Sequence, residues 1–169
     1  YHNWSILMDA LILRSNLEFS NHKKMERAMI QYEQISKDWH SKTCNFSERA
    51  KFVYFLNFPH YISIMTGFAE NYKKANCFMS AAALFEDCGL YEEAVECKAC
   101  AGNHDQAVAL LKKMPLKAAN SPKMLCVLGD IYNDPKYYLK AWEESNRKSV
   151  RAQKSLGRYY FVRKQYDLA

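Results

Sequence analysis

Leu128-Gly129-Asp130-Ile131-Tyr132 and Leu156-Gly157-Arg158-Tyr159-Tyr160 share a Leu-Gly step with a tyrosine three residues after the glycine. An alanine stands twelve residues beyond each glycine, at Ala141 and Ala169. Fixed-period similarity of this kind is the signature of a repeat architecture, and it outranks local propensity in deciding the fold. The offsets have a mechanical meaning. A small residue in one helix lets a second, antiparallel helix approach closely, and the later alanine is the matching small residue on that second helix. Leu128, Tyr132, Leu156 and Tyr160 fill the space between the two. A single pair leaves apolar surface uncovered, so pairs must stack. The expected fold is all-α, a right-handed superhelical α-solenoid of antiparallel helix pairs.

Carried backwards, the register meets weaker copies. Phe68-Ala69 is followed by Tyr72, Ala81 and Phe85, and Ala94-Val95 is followed by Gly102, Ala107 and Leu111. Repeat starts then fall near Ile62, Cys88, Pro122 and Val150, at intervals of 26, 34 and 28 residues. The array is degenerate, with shortened second helices or tight junctions. Residues 62–169 hold about three and a half repeats, cut in the last helix. Residues 1–61 form an N-terminal segment of two long helices, Trp4 to Glu18 and Lys23 to Trp39, and a short one capped by Ser47. On the second, Met25, Ala28, Met29, Tyr32 and Ile35 line one face at helical spacing.

Local punctuation agrees. Ser121-Pro122 and Asp134-Pro135 each place an N-cap residue before a proline at the first helical position. Gly89 and Gly102-Asn103 mark helix-to-helix turns. Only five glycines and four prolines occur, too few for the turn at every tenth residue that a sandwich or barrel needs. The 49% hydrophobic fraction lies in the globular range. No apolar run of about 18 residues exists, so no membrane span is expected. Tyr1 opens no signal peptide, no initiator Met is present and Ala169 interrupts a helical pattern, as expected of a fragment of a longer protein. Most of the six cysteines fall inside helical patterns beside Ala, Leu and Val, which fits buried thiols in a reducing compartment, the cytoplasm or nucleus.

The string from Asp134 to Ser145, Asp-Pro-Lys-Tyr-Tyr-Leu-Lys-Ala-Trp-Glu-Glu-Ser, and the string from Arg151 to Phe161, Arg-Ala-Gln-Lys-Ser-Leu-Gly-Arg-Tyr-Tyr-Phe, go beyond a generic repeat. Together with Glu26-Arg27-Ala28, Phe58-Pro59, Ala81 to Glu86 and Glu93-Ala94-Val95, they resemble the tetratricopeptide repeat protein 27 family. The likeness is strong from about Met124 onward and looser before it. Val95 and Lys98 depart from it, standing where other repeats have Gly and Tyr. The resemblance implies degenerate tetratricopeptide repeats in a non-enzymatic scaffold. It also implies a link to chaperone-assisted assembly of large ribonucleoprotein complexes and, in fungi, to cell-wall integrity.

In such stacks the first helices line a concave surface. Arg151, Lys154 and Arg158 would face it with Arg147, at i, i+4, i+7 and i+11 on one stripe. Lys123, Cys126 and Asp130 would follow from the preceding repeat, and Gly89, Glu92 and Glu96 from the one before. The surface would run from acidic to basic. Cations on one stripe can hold a carboxylate-rich peptide. However, Cys126 and Asp130 occupy positions where clamp-type modules for acidic tails carry Lys and Asn. The partners expected are other proteins, including an acidic peptide or chaperone machinery.

RNA is the competing ligand, supported by 13 Lys/Arg against 5 Asp/Glu from Lys112 onward. Base-reading repeats, though, keep a strict period that is missing here. No catalytic constellation, cofactor motif or metal-ligand spacing occurs. Cys97-Lys98-Ala99-Cys100 lacks the second pair a zinc site requires, and His2, His22, His40, His60 and His104 are dispersed.

Overall fold

The computed structural model describes residues 3–41, 44–52, 55–56 and 58–166. Among them every regular element is helical: α1 (Trp4–Phe19), α2 (Met25–His40), α3 (Phe46–Ala50), α4 (Tyr61–Lys74), α5 (Phe78–Asp87), α6 (Tyr91–Cys100), α7 (His104–Lys113), α8 (Leu116–Ala119), α9 (Pro122–Tyr132), α10 (Pro135–Glu144) and α11 (Val150–Val162). They form two compact units, Tyr1–Cys77 and Phe78–Ala169.

In the first unit α1 and α2 run antiparallel, with Trp4 beside Trp39 at one end and Ser15 hydrogen-bonded to Gln31 at the other. Tyr32 is the hub. Its ring stacks on Phe68 at 3.9 Å, its hydroxyl donates to Asn16 Oδ1 at 3.1 Å, and Asn71 Nδ2 donates back at 2.8 Å. Tyr72 donates to the Met29 carbonyl at 3.0 Å. These aromatic contacts tie α4 to α2, so the compact unit runs past residue 61 and ends only after α4. The short helix α3 is entered at Asn45 with no side-chain cap, and Ser47 lies inside it. Arg49 from α3 donates to the Trp39 carbonyl at 2.7 Å and to the Ser41 carbonyl, closing the end of α2. Its guanidinium lies 4.8 Å over the Trp4 ring.

The second unit is a run of short helices, of which α5, α6, α7 and α10 have ten residues each. Its core is threaded by small residues buried to zero exposure: Ala81, Ala82, Ala94, Ala107 and Ala141. Cβ-sized groups at these crossings let helices approach and leave Phe85, Leu111 and Leu125 to fill the gaps. An extra turn, α8, lies between α7 and α9, and the 34-residue interval shortens to 31 because α6 starts at Tyr91 and α9 at Pro122. Where the register had placed a repeat start at Cys88, the chain makes a turn with Gly89 at φ +75°, and the helix begins at Tyr91.

Capping fixes the C-terminal half. Ser121 Oγ accepts from Met124 N at 3.4 Å, Asp134 Oδ1 from Lys136 N at 3.0 Å and Ser149 Oγ from Ala152 N at 3.3 Å. Prolines stand at the first turn of α9 and α10. Asn133 closes α9 in the left-handed region at φ +51°.

Candidate interaction groove

The first helices α6, α9 and α11 pack in succession, α6 on α9 and α9 on α11. Their shared face carries a chain of ion pairs. Lys123 Nζ lies 3.1 Å from Glu93 Oε1 and 3.5 Å from Glu96 Oε2. Arg151 Nη1 donates to Glu96 Oε1 at 2.6 Å, and its other amine lies 3.7 Å from Asp130 Oδ2. Tyr138 on α10 donates to Asp130 Oδ1 at 2.8 Å. Partial burial opposes the charge on Arg151 and Lys123. Burial is the largest single influence, but the hydrogen bonds to Glu96 and Glu93 together with the charge attraction of Glu96, Asp130 and Glu93 outweigh it and raise both pKa values. Burial, followed by the bond to the Asp130 carboxylate, pushes the Tyr138 phenol up, so it remains a donor.

This arrangement alters the expected basic stripe. Arg151 and Lys123 are consumed in pairing with acidic residues of the neighbouring helices, because the acidic and basic ends of the surface lie within side-chain reach. Arg147 leaves the stripe altogether. It sits in the turn before α11 at φ +63°, with its backbone N–H bonded to the Trp142 carbonyl at 2.9 Å. Ser145 holds that turn by accepting from Ser149 N at 3.0 Å, so the helix cannot extend back to residue 147.

What remains open is a groove of about 710 Å³. Asp130, Asn133 and Tyr138 line one side, and Arg151, Lys154 and Arg158 line the other. It continues along α11 past Arg158 to Tyr159, Val162 and Arg163. Arg163 is engaged with the Tyr159 ring at 4.1 Å. Lys154 and Arg158 are exposed, and neither has a partner among the described residues.

The repeat-packing positions differ among themselves. Leu128 packs half-buried on the cluster of Leu125, Cys126, Ala141 and Ala152. A Cβ on Gly129 would fall 2.5 Å from the Tyr138 ring, so the close approach there is between Gly129 and Tyr138. Tyr132 stays 52% exposed and stacks on Tyr137 at 5.7 Å. Gly157 lies within α11, but a Cβ there meets nothing within 4 Å. Leu156 and Tyr160 are half-buried on the same helix. Ala169 lies outside the described residues.

Sequence reasoning passed over Glu93, Asn133 and Tyr138. Glu93 stands three residues before Glu96, hence on the same helical face, and that spacing was the signal available. At the odd repeat Val95 is fully buried, and Lys98 reaches Glu86 of α5 at 2.6 Å, an ion pair where other repeats have a tyrosine. Cys97 is buried and Cys100 exposed, so the two thiols face different surroundings. Among the described residues no group of three or more His, Cys, Asp or Glu is placed to hold a metal ion. No helix there is long and apolar enough to cross a membrane.

A protein of Dictyostelium discoideum described as a tetratricopeptide repeat protein 27 homolog is 32% identical over 167 residues, covering 99% of this chain and 20% of its own length. The chain is a homologue of tetratricopeptide repeat proteins. A tetratricopeptide repeat-containing protein of Caenorhabditis elegans, trd-1, is 23% identical over 98% of the chain and 22% of its own length. The Saccharomyces cerevisiae protein described as essential for maintenance of the cell wall is 28% identical over 94% of the chain and 18% of its own length. The chain thus spans about a fifth of the length of these curated relatives. No family model matches it, and no solved structure matches it. With these relatives and its all-helical elements, the chain is a helical-repeat solenoid of degenerate tetratricopeptide type.

Proposed function

We propose that this chain is part of a non-enzymatic protein-interaction scaffold. It works in the cytoplasm or nucleus, within a larger factor that assists assembly of multiprotein or ribonucleoprotein complexes. The observation that carries the reading is the row of first helices α6, α9 and α11. Their shared face presents ordered charges and ends in an open groove, on a chain homologous to tetratricopeptide repeat proteins. Repeat arrays use such faces for extended partners. The partner favoured is an acidic protein segment, because Lys154 and Arg158 line the groove without an acidic partner among the described residues.

RNA is the second reading, favoured by the C-terminal excess of Lys and Arg. Against it, Glu93, Glu96 and Asp130 share the surface and already neutralise two of its cations. Tagged full-length protein carrying this segment separates the two. Under the scaffold reading, partner proteins remain captured after nuclease treatment. If nuclease releases every partner, and affinity for a single-stranded RNA falls with salt at the slope of counterion release, the RNA reading replaces it.

A further inference from the structure

The spacing of Lys154 and Arg158, which have no acidic partner among the described residues, bears on the shape of the partner. Lys154 and Arg158 stand one helical turn apart, about 6 Å along α11. Val162 is one further turn along and walls the continuation of the same groove with Tyr159. An extended peptide advances about 7 Å per two residues, and alternate side chains point the same way. One turn of α11 therefore matches one two-residue step of an extended chain.

On this ground we infer that the groove takes an extended segment with the alternating pattern acid–any–acid–any–apolar. The two side-chain carboxylates pair with Lys154 and Arg158, and the apolar residue lies against Val162 and Tyr159. The inference rests on the protein-binding reading above and specifies its ligand.

Three features of the groove support this ligand over others. Arg151 is held by Glu96 and Asp130, so of the three cations on the wall of the main groove two, Lys154 and Arg158, are without an acidic partner among the described residues. The Asp130 carboxylate on the opposite wall repels a second row of anions, which favours a ligand with acids on one side only. Adjacent acids in an extended chain point to opposite sides, so only one of them could reach α11.

The test uses the 169-residue chain and three probes by fluorescence anisotropy at fixed salt: a Glu-x-Glu-x-Leu dodecapeptide blocked at both ends, the same composition permuted to Glu-Glu-x-x-Leu, and a single-stranded RNA oligonucleotide. The alternating peptide is expected to bind at least tenfold more tightly than the permuted one. The Lys154→Gln/Arg158→Gln variant should lose that tenfold while its far-ultraviolet circular dichroism is unchanged. Equal affinity for the two peptides, unaltered binding by the double variant, or tighter binding of the RNA than of the alternating peptide would each overturn the inference. Nuclease-resistant capture by full-length protein that survives the double variant sinks the groove assignment and leaves the scaffold standing. Complete loss of capture on nuclease treatment of the unaltered protein sinks the scaffold itself.

Discussion

At the scale of single residues, two glycines with the same sequence signature occupy different surroundings. Gly129 faces the Tyr138 ring, which is buried and anchored by its bond to Asp130, so it cannot swing aside cheaply. Gly129→Ala should therefore cost about 1–3 kcal/mol through overpacking. Gly157→Ala meets open space and should be neutral or stabilise by roughly 0.5–1 kcal/mol through helix propensity. Urea midpoints of the two variants check both statements, and equal losses would contradict the contact at Gly129. Glu18 supplies a second residue-scale prediction. Hydrogen bonds from Arg27 and then Arg14 hold its carboxyl at about 2, below the ordinary 4.5. A depressed carboxyl stabilises the fold at pH above the unfolded value and loses that contribution as pH falls from 4.5 toward 2. Replacing Arg14 and Arg27 with Gln should flatten the acid side of the stability profile in that window, read by thermal melts at stepped pH.

At the scale of elements, the pairing of α6, α9 and α11 depends on apolar crossings first and on charge second. Arg151 joins all three helices, yet its side chain is 40% exposed, and pairs of that exposure are worth about 0–1 kcal/mol. Arg151→Gln should lower stability by no more than about 1 kcal/mol at low salt, with the difference shrinking as salt is raised. A salt-independent loss would mean that packing of the arginine stem, not charge, links the helices. The ends of these elements were legible in advance. Ser121-Pro122 and Asp134-Pro135 start α9 and α10 as local chemistry requires, because a cap bonds its own helix and needs no distant partner. Arg147 was not legible. Its helical spacing from Arg151 was real, but the Ser145 turn broke the helix between them.

At the scale of the whole molecule, Cys97 and Cys126 are buried and Cys100 is exposed. Burial raises the Cys126 thiol pKa despite the opposing influence of Arg151. Thiol titration should thus find Cys100 reactive in the native state and Cys97 and Cys126 reactive only on unfolding; fast native reaction of the buried pair would contradict the core. The sequence by itself determined the helical class and the caps at Ser121 and Asp134, since each follows from spacing within a few turns of chain, whereas the cap expected at Ser47 and the crossing expected at Gly157 did not form among the described residues. Tertiary structure alone decided which charges remain available. Glu93, Glu96 and Asp130 were visible as residues, but pairing with Lys123 and Arg151 depends on helices brought side by side from up to 55 positions apart. Side-chain neutralisation is set by distances in space, which one-dimensional periodicity does not contain. That is why, of an anticipated four-residue basic stripe, only Lys154 and Arg158 line the groove without an acidic partner among the described residues.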